Sequence, residues 1–314
     1  MRKYTVRTYC ENDFERWNAF IANARNATFL FDRNFMEYHK DRFRDFSLVV
    51  EDGADWVAVL PANIAGNEVF SHQGLTYGGL VYDKNLDVIA LDAILDEMIV
   101  FLKENGCKRL VYKPIILIYT GFVPEPVGAM LLQRNAELFR KDKNLAIDFS
   151  KELQISKSKL KHFRRISGLD IEMRQETSFD AFWDEVLEPR LRDRHQVKPV
   201  HSKDEITYLA AKFPKNILQF NAYFEEELVA GITLFHFGNG VKSQYGATTE
   251  AGQKIRALDF LFISLIEKYK TEVTFFDMGT VTEDNELGYN PGLLQQKQEL
   301  GCSVFDQDFY SIAL

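Results

Sequence analysis

Cysteine is scarce: Cys10, Cys107 and Cys302 are the three in 314 residues, and they lie far apart. No CxxC pair and no Cys–His spacing suited to zinc is present, which argues against a disulfide scaffold and a metal centre. Long apolar runs are missing as well. "IILIY" from Ile115 has the length of a strand, well short of the ~18 residues of a membrane span, and no apolar segment follows Met1. A reducing, cytoplasmic location is the expectation. Positive charge is not in excess: 38 Lys and Arg against 46 Asp and Glu leave a net charge of −8. DNA is therefore not expected as a partner, because phosphate binding rests on clustered cations. No Ser-His-Asp or Cys-His arrangement stands out, so nothing points to a covalent enzyme intermediate.

What is present is a folded chain, 46% hydrophobic and 27% charged. Its length allows two domains and burial of roughly 75% of the unfolded surface. The order of elements repeats. "LDAILDEMIVFL" (91–102) and "LDFLFISLIEKY" (258–269) carry apolar residues in the same helical phase. Two strand-like runs precede each helix: "FSLVVE" and "WVAVLPANI" in the first half, "ILQFNAYF" and "LVAGITLFHF" in the second. Asp52-Gly53, an acidic Glu225–Glu227 tip, "GN" at 66–67 and "GNG" at 238–240 read as hairpin turns. Upstream, "DFERWNAFI" mirrors "SFDAFWDEVL" as a helix with aromatic anchors, and "KYTVRTY" mirrors "LDIEMRQ" as a strand. Downstream, the strands "RLVYKPI" and "VTFFDMG" are followed by closing helices, "AMLLQRNAELFRK" and "GLLQQKQELG", and by the closing strands "LAIDF" and "VFDQDFYSIAL". Six elements in one order at a nearly constant offset indicate an internal duplication. The two domains are expected at residues 1–150 and 151–314.

This order, with a glycine-bearing strand before the long helix, is similar to the GNAT acyltransferase fold. Two such domains in tandem resemble the Fem-type peptidoglycan bridge transferases and their FemAB-like relatives. "KSKLKHFRRISGLDIEM", "QYGATTEAGQKIRALDFL" and "FFDMGTVTEDNELGYNPGLLQQKQELG" carry the likeness. It implies two tandem GNAT-like domains of mixed α/β class, each a largely antiparallel sheet flanked by helices. It also implies transfer of an acyl group from acyl-CoA to an amine or hydroxyl of a small metabolite or cell-envelope precursor. An aminoacyl-tRNA donor and a non-catalytic binding module are the alternatives. Two features of the family are missing: the pyrophosphate loop, since "TEAGQKIRAL" keeps one glycine of it, and room for the long helical arm of some Fem-type enzymes.

The candidate site residues follow from this frame. "SHQGLTYGG" (71–79) places three glycines where a strand is expected. It reads either as a β-bulge or as a strand whose free N–H groups meet a ligand. His72 is a candidate for proton transfer, and Tyr77, Lys113 and Tyr119 for acceptor binding; each has a plain structural alternative. In the second half, Gln244, Tyr245, Gly246, Gly252, Lys254 and Arg256 are the candidate donor site, with backbone N–H groups at a helix start available to phosphate. Asp277, at the end of a strand, is the candidate general base, with Glu283 in the polar loop after it. Lys297 is recommended by the resemblance alone. Ser202 and Glu205 form a capping-box pattern, and His195 and His201, which precede it, each have a plain structural alternative. "KSKLKHFRR" (157–165) is either a solvated helix or a contact for the phosphates of a cofactor, nucleotide or tRNA end.

Overall fold

The computed structural model describes residues 4–124, 126–195 and 198–314, and the side chains of Arg194 and His195 lie outside the described set. The chain divides into two compact units, Met1–Asp142 with Asp306–Leu314, and Lys143–Phe305. The division thus falls at 142/143 instead of 150, and the last nine residues belong with the first unit.

The first unit runs β1 (Thr5–Thr8), α1 (Phe14–Asn23), α2 (Arg33–Met36), β2 (Arg44–Asp45), β3 (Leu48–Asp52), β4 (Asp55–Leu60), β5 (Asn63–Ala65), β6 (Glu68–Phe70), β7 (Val81–Tyr82), α3 (Val88–Glu104), β8 (Arg109–Tyr112), α4 (Val127–Gln133) and into β9 (Glu137–Asp148). β1, β3, β4 and β7 form an antiparallel set, and β2, β5 and β6 a second one that β8 joins in parallel. Pro61, between β4 and β5, has no N–H to donate, and the chain changes sheets there. Residues 310–313 pair antiparallel with β8. α3 starts at Asp87, whose side chain accepts the Ala90 N–H at 2.8 Å. Its Leu91, Ile94, Leu95, Met98 and Leu102 enter the core with Leu48, Val50, Ala58 and Leu60. Each buried Leu, Ile, Met or Val side chain among them contributes about 1.5–3 kcal/mol. One expected helix is shorter than its periodicity suggests. "AMLLQRNAELFRK" leaves the helix after Gln133, turns at Asn135 with φ 62°, and becomes β9.

The second unit continues with α5 (Lys157–Ser167), β10 (Ile171–Glu176), α6 (Glu188–His195), α7 (Lys203–Lys212), β11 (Ile217–Phe224), β12 (Glu227–His236), β13 (Gly240–Thr248), α8 (Glu250–Ile255), α9 (Ala257–Tyr269), β14 (Phe275–Thr280), α10 (Pro291–Glu299) and β15 (Ser303–Ala313). β10 to β13 are an antiparallel meander, β14 runs parallel to β13, and residues 144–148 of β9 pair antiparallel with β14. α9 buries Leu261, Leu265, Ile266 and Tyr269 in the core, in phase with α3. The helix expected at 178–187 forms from residue 180, and its part Phe182–Leu187 is π-helical and leads into α6. The wider turn gathers Phe182, Trp183, Val186 and Leu187 onto one buried face. Phe182 lies on the backbone of Gly231, where any Cβ would come within 2.1 Å of the ring.

Candidate functional site

β13 and β14 are paired over three residues, Gly240↔Phe275, Val241↔Phe276 and Lys242↔Asp277. Beyond that point β13 runs on to Thr248 and β14 to Thr280 with no further pairing between them among the described residues. Two parallel strands that part this way leave one edge of β13 without a ladder partner. A cavity of about 560 Å³ lies at the far end of β13. Its wall includes Gly246, Ala247 and Thr248 of the strand, Gly252 and Arg256 around α8, Leu258 and Asp259 of α9, Arg190 of α6, and Leu293 and Gln296 of α10. Three of the expected donor residues, Gly246, Gly252 and Arg256, meet here.

α9 gives this cavity its electrostatics. It is 13 residues long, and Arg256 at its N-cap, in the left-handed region with φ 65°, makes no side-chain cap. The first N–H groups of the helix and the positive end of its dipole therefore have no capping side chain. Asp259 in that first turn is bound by Lys159 at 2.7 and 2.8 Å, a buried pair that neutralises its charge. Gly252 serves differently from the expectation. It lies inside α8, and its N–H donates to Thr249 Oγ1 at 3.0 Å, so this group is not free for phosphate. A Cβ at Gly252 would meet the Val229 carbonyl oxygen at 2.1 Å, so glycine here allows α8 to lie against β12. Lys254 is exposed on α8.

Gln244 is the extra residue of a bulge, because Thr233 faces Tyr245 and Leu234 faces Ser243. Its Oε1 is buried with no hydrogen-bond partner. Tyr245 is engaged within the fold. Its hydroxyl accepts the His201 N–H at 3.1 Å and lies 2.6 Å from His201 Nδ1. Burial pushes its pKa up to about 12.

Asp277 is fully buried on β14. Its Oδ1 accepts from Asn144 Nδ2 at 2.9 Å and from the Gly279 N–H at 2.7 Å, and its Oδ2 from Lys242 Nζ at 3.3 Å. A carboxylate so enclosed supports the strand junction and is not presented to solvent as a base. Lys297, on α10, donates to the carbonyls of Gly279 and Thr280 at 3.1 and 3.0 Å. Burial lowers its pKa to about 8, against the opposing pull of Asp277. Glu283 is exposed in the loop after β14 and accepts from Asn285 at 3.0 Å.

In the first unit the irregular stretch 71–79 is a loop between β6 and β7. Its N–H groups are largely spoken for: Ser71 bonds Val111, Gln73 bonds Asn63, Gly74 bonds His72 Nδ1, and Gly78 bonds Lys113. These four donors, together with Leu75, whose N–H bonds the His72 carbonyl, are therefore engaged within the fold. A Cβ on Gly78 would fall 1.5 Å from the Ser71 carbonyl oxygen. His72 is buried between His39 and Phe43, with ring centroids at 5.4 and 5.5 Å. Burial, then the charges of His39, Arg33 and Lys113, lowers its pKa to about 3, so it is neutral near pH 7. It lines a separate cavity of about 230 Å³. Tyr77 and Tyr119 are both buried and meet at 4.6 Å, with Tyr77 Oη donating to Thr28 Oγ1 at 2.9 Å. Lys113 Nζ donates to the Leu75 carbonyl at 2.5 Å, and burial followed by Arg140 lowers its pKa to about 8.

Sequence reasoning missed Lys242 and the π-helical turn, and it flagged the segments that hold Lys159 and Arg190 without the roles that these two take. Lys159 and Asp259 meet across 100 residues, and nothing local announces the pair. Among the described residues no group of three or more His, Cys, Asp or Glu is arranged to hold a metal ion. No helix of the described residues is long and apolar enough to cross a membrane.

No known sequence family and no characterised protein matches the chain by sequence. Solved structures do match by fold. FemX superposes with a TM-score of 0.70 at 11% identity, covering 99% of this chain and 97% of its own. L-PGS from Bacillus licheniformis gives 0.62 at 13% identity, covering 96% and 91%. A tandem GNAT protein from the clavulanic acid biosynthesis pathway gives 0.52 at 10% identity, covering 99% and 98%. Parted parallel strands, the uncapped long helix beside them and these superpositions together establish a tandem GNAT fold of the Fem-like kind.

Proposed function

We propose that the protein is a transferase that moves an acyl group from acyl-CoA to an amine or hydroxyl of a small metabolite or cell-envelope precursor. The observation that carries this reading is the 560 Å³ cavity, where the uncapped start of α9, Arg190, Arg256 and the end of β13, paired there with β12 and no longer with β14, converge. An anionic donor suits that helix end, and its dipole and N–H groups favour phosphate oxygens without a motif side chain. The gap between β13 and β14 would take the acyl group. Gln244 Oε1 is an unmet acceptor for an N–H of the donor or of the attacking amine.

In the reaction the acceptor nitrogen or oxygen bonds to the thioester carbonyl carbon, the C–S bond breaks and thiolate leaves. Positioning alone supplies roughly 7–11 kcal/mol of the barrier. The proton released by the acceptor needs a base in reach of solvent. Asp277 is enclosed, so we assign the role to Glu283, with a contribution of ~10²–10⁴-fold. Turnover unchanged in Glu283→Gln would remove that assignment.

A second reading has its own support. α5 presents Lys157, Lys161, Arg164 and Arg165 to solvent on the second unit, a cationic face suited to the phosphates of an aminoacyl-tRNA donor. A thermal-shift titration with CoA, acetyl-CoA, a nucleotide control and aminoacyl-tRNA separates the two. The leading reading expects stabilisation by the CoA species, about 2.7 kcal/mol at 100 times Kd. A response to aminoacyl-tRNA with none to CoA or acetyl-CoA would replace it by the second.

A further inference from the structure

The 230 Å³ cavity of the first unit holds a feature that neither the fold nor the transfer reading uses. Arg33, on α2, is 1% exposed. Its guanidinium carbon lies 3.4 Å from the ring centroid of Tyr9 and 4.0 Å from that of Trp17, so aromatic side chains take the place of water around it. Nη1 reaches Asp45 at 3.2 Å. Nε and Nη2 are buried with no hydrogen-bond partner. Those two nitrogens are the side-on edge of the guanidinium, whose parallel N–H bonds match the two oxygens of a carboxylate. A buried cation with this edge unmet is costly, and a ligand that meets it removes the cost.

The rest of the wall narrows the ligand. Glu11, Glu37 and Asp45 bring negative charge to a cavity whose other cation is Lys40. His72, neutral near pH 7, adds none. A dianion such as phosphate would meet three carboxylates here. A molecule with one carboxylate and one ammonium group satisfies both halves of the wall.

We propose that this cavity is a binding site for a small amino carboxylate, its carboxylate on the Nε–Nη2 edge of Arg33 and its ammonium group towards Glu37 and Glu11. The site stands whether or not the second unit transfers an acyl group.

Cys10 supplies a probe in the unaltered chain. Its thiol is exposed and lines the cavity, whereas Cys107 and Cys302 are buried. The rate of Cys10 alkylation by iodoacetamide, a neutral reagent, is measured against L-alanine, N-acetyl-L-alanine, L-alaninamide and inorganic phosphate. L-Alanine is expected to slow alkylation saturably, and the other three to need about tenfold more or to fail. Arg33→Lys, which keeps the charge and removes the edge, should abolish protection by L-alanine. Absence of protection by L-alanine, or equal protection by L-alaninamide, N-acetyl-L-alanine or phosphate, overturns the proposal. Should Arg33→Lys not fold, the four probes on the wild-type chain decide the matter alone.

Discussion

At the scale of single residues, the second unit's strand junction rests on buried charges that must stay matched. Asp277→Asn leaves Lys242 buried beside a neutral amide, and breaking such a pair costs about 3–5 kcal/mol. A urea midpoint lowered accordingly is the expected outcome. An unchanged midpoint with lost turnover would return Asp277 to the role of base. Lys297 gives a pH signature. Its folded pKa, about 8, lies below its ordinary value of 10.5, so between these the unfolded chain binds more protons. Stability then rises with pH across that window, and the burial cost is present in full only below about pH 8. Relative to Lys297→Met, the wild type should gain stability as pH is raised from about 8 to 10.5; parallel curves would show that the amine is well hydrated. The Ser202–Glu205 capping box, legible in four letters, forms with both reciprocal bonds. Ser202→Ala should cost about 1 kcal/mol in urea unfolding.

At the scale of elements, α3 and α9 could be read from the sequence because their apolar residues recur with the helix period. The irregular stretch 71–79 could be flagged but not explained. Glycine content marks a weak strand, whereas the partners of its N–H groups come from Asn63, Val111 and Lys113, distant in the chain. The π-helical turn was hidden for a similar reason, since its apolar spacing also satisfies an α-helix until it meets Gly231. α8 shows how one glycine positions a site. Gly252→Ala forces a Cβ against the Val229 carbonyl and Thr248 Oγ1, at 2.1 and 2.4 Å, so α8 must lift from β12. A lower melting temperature is the predicted result and, under the proposed acyl-CoA reading, weaker stabilisation by CoA.

At the scale of the whole molecule, the C-terminal residues are structural for the first unit. Residues 310–313 pair with β8, and Tyr310 and Ile312 lie in its core. A chain ending at Phe305 should therefore lose the cooperative unfolding of the first unit while the second keeps its own, as seen by calorimetry. A single unaltered transition would contradict this. The sequence by itself determined the class of fold, the repeated order of elements and the phase of the long helices, because periodicity and turn chemistry are local. It also placed Gly246, Gly252 and Arg256 close enough in the chain to share a cavity. Only the tertiary structure decided that residues 306–314 belong with the first unit, that Asp277 is enclosed, and that Arg33 holds an unmet edge beside a cavity. Burial and charge pairing are set by residues far apart in the chain, and local pattern carries no record of which of them will meet.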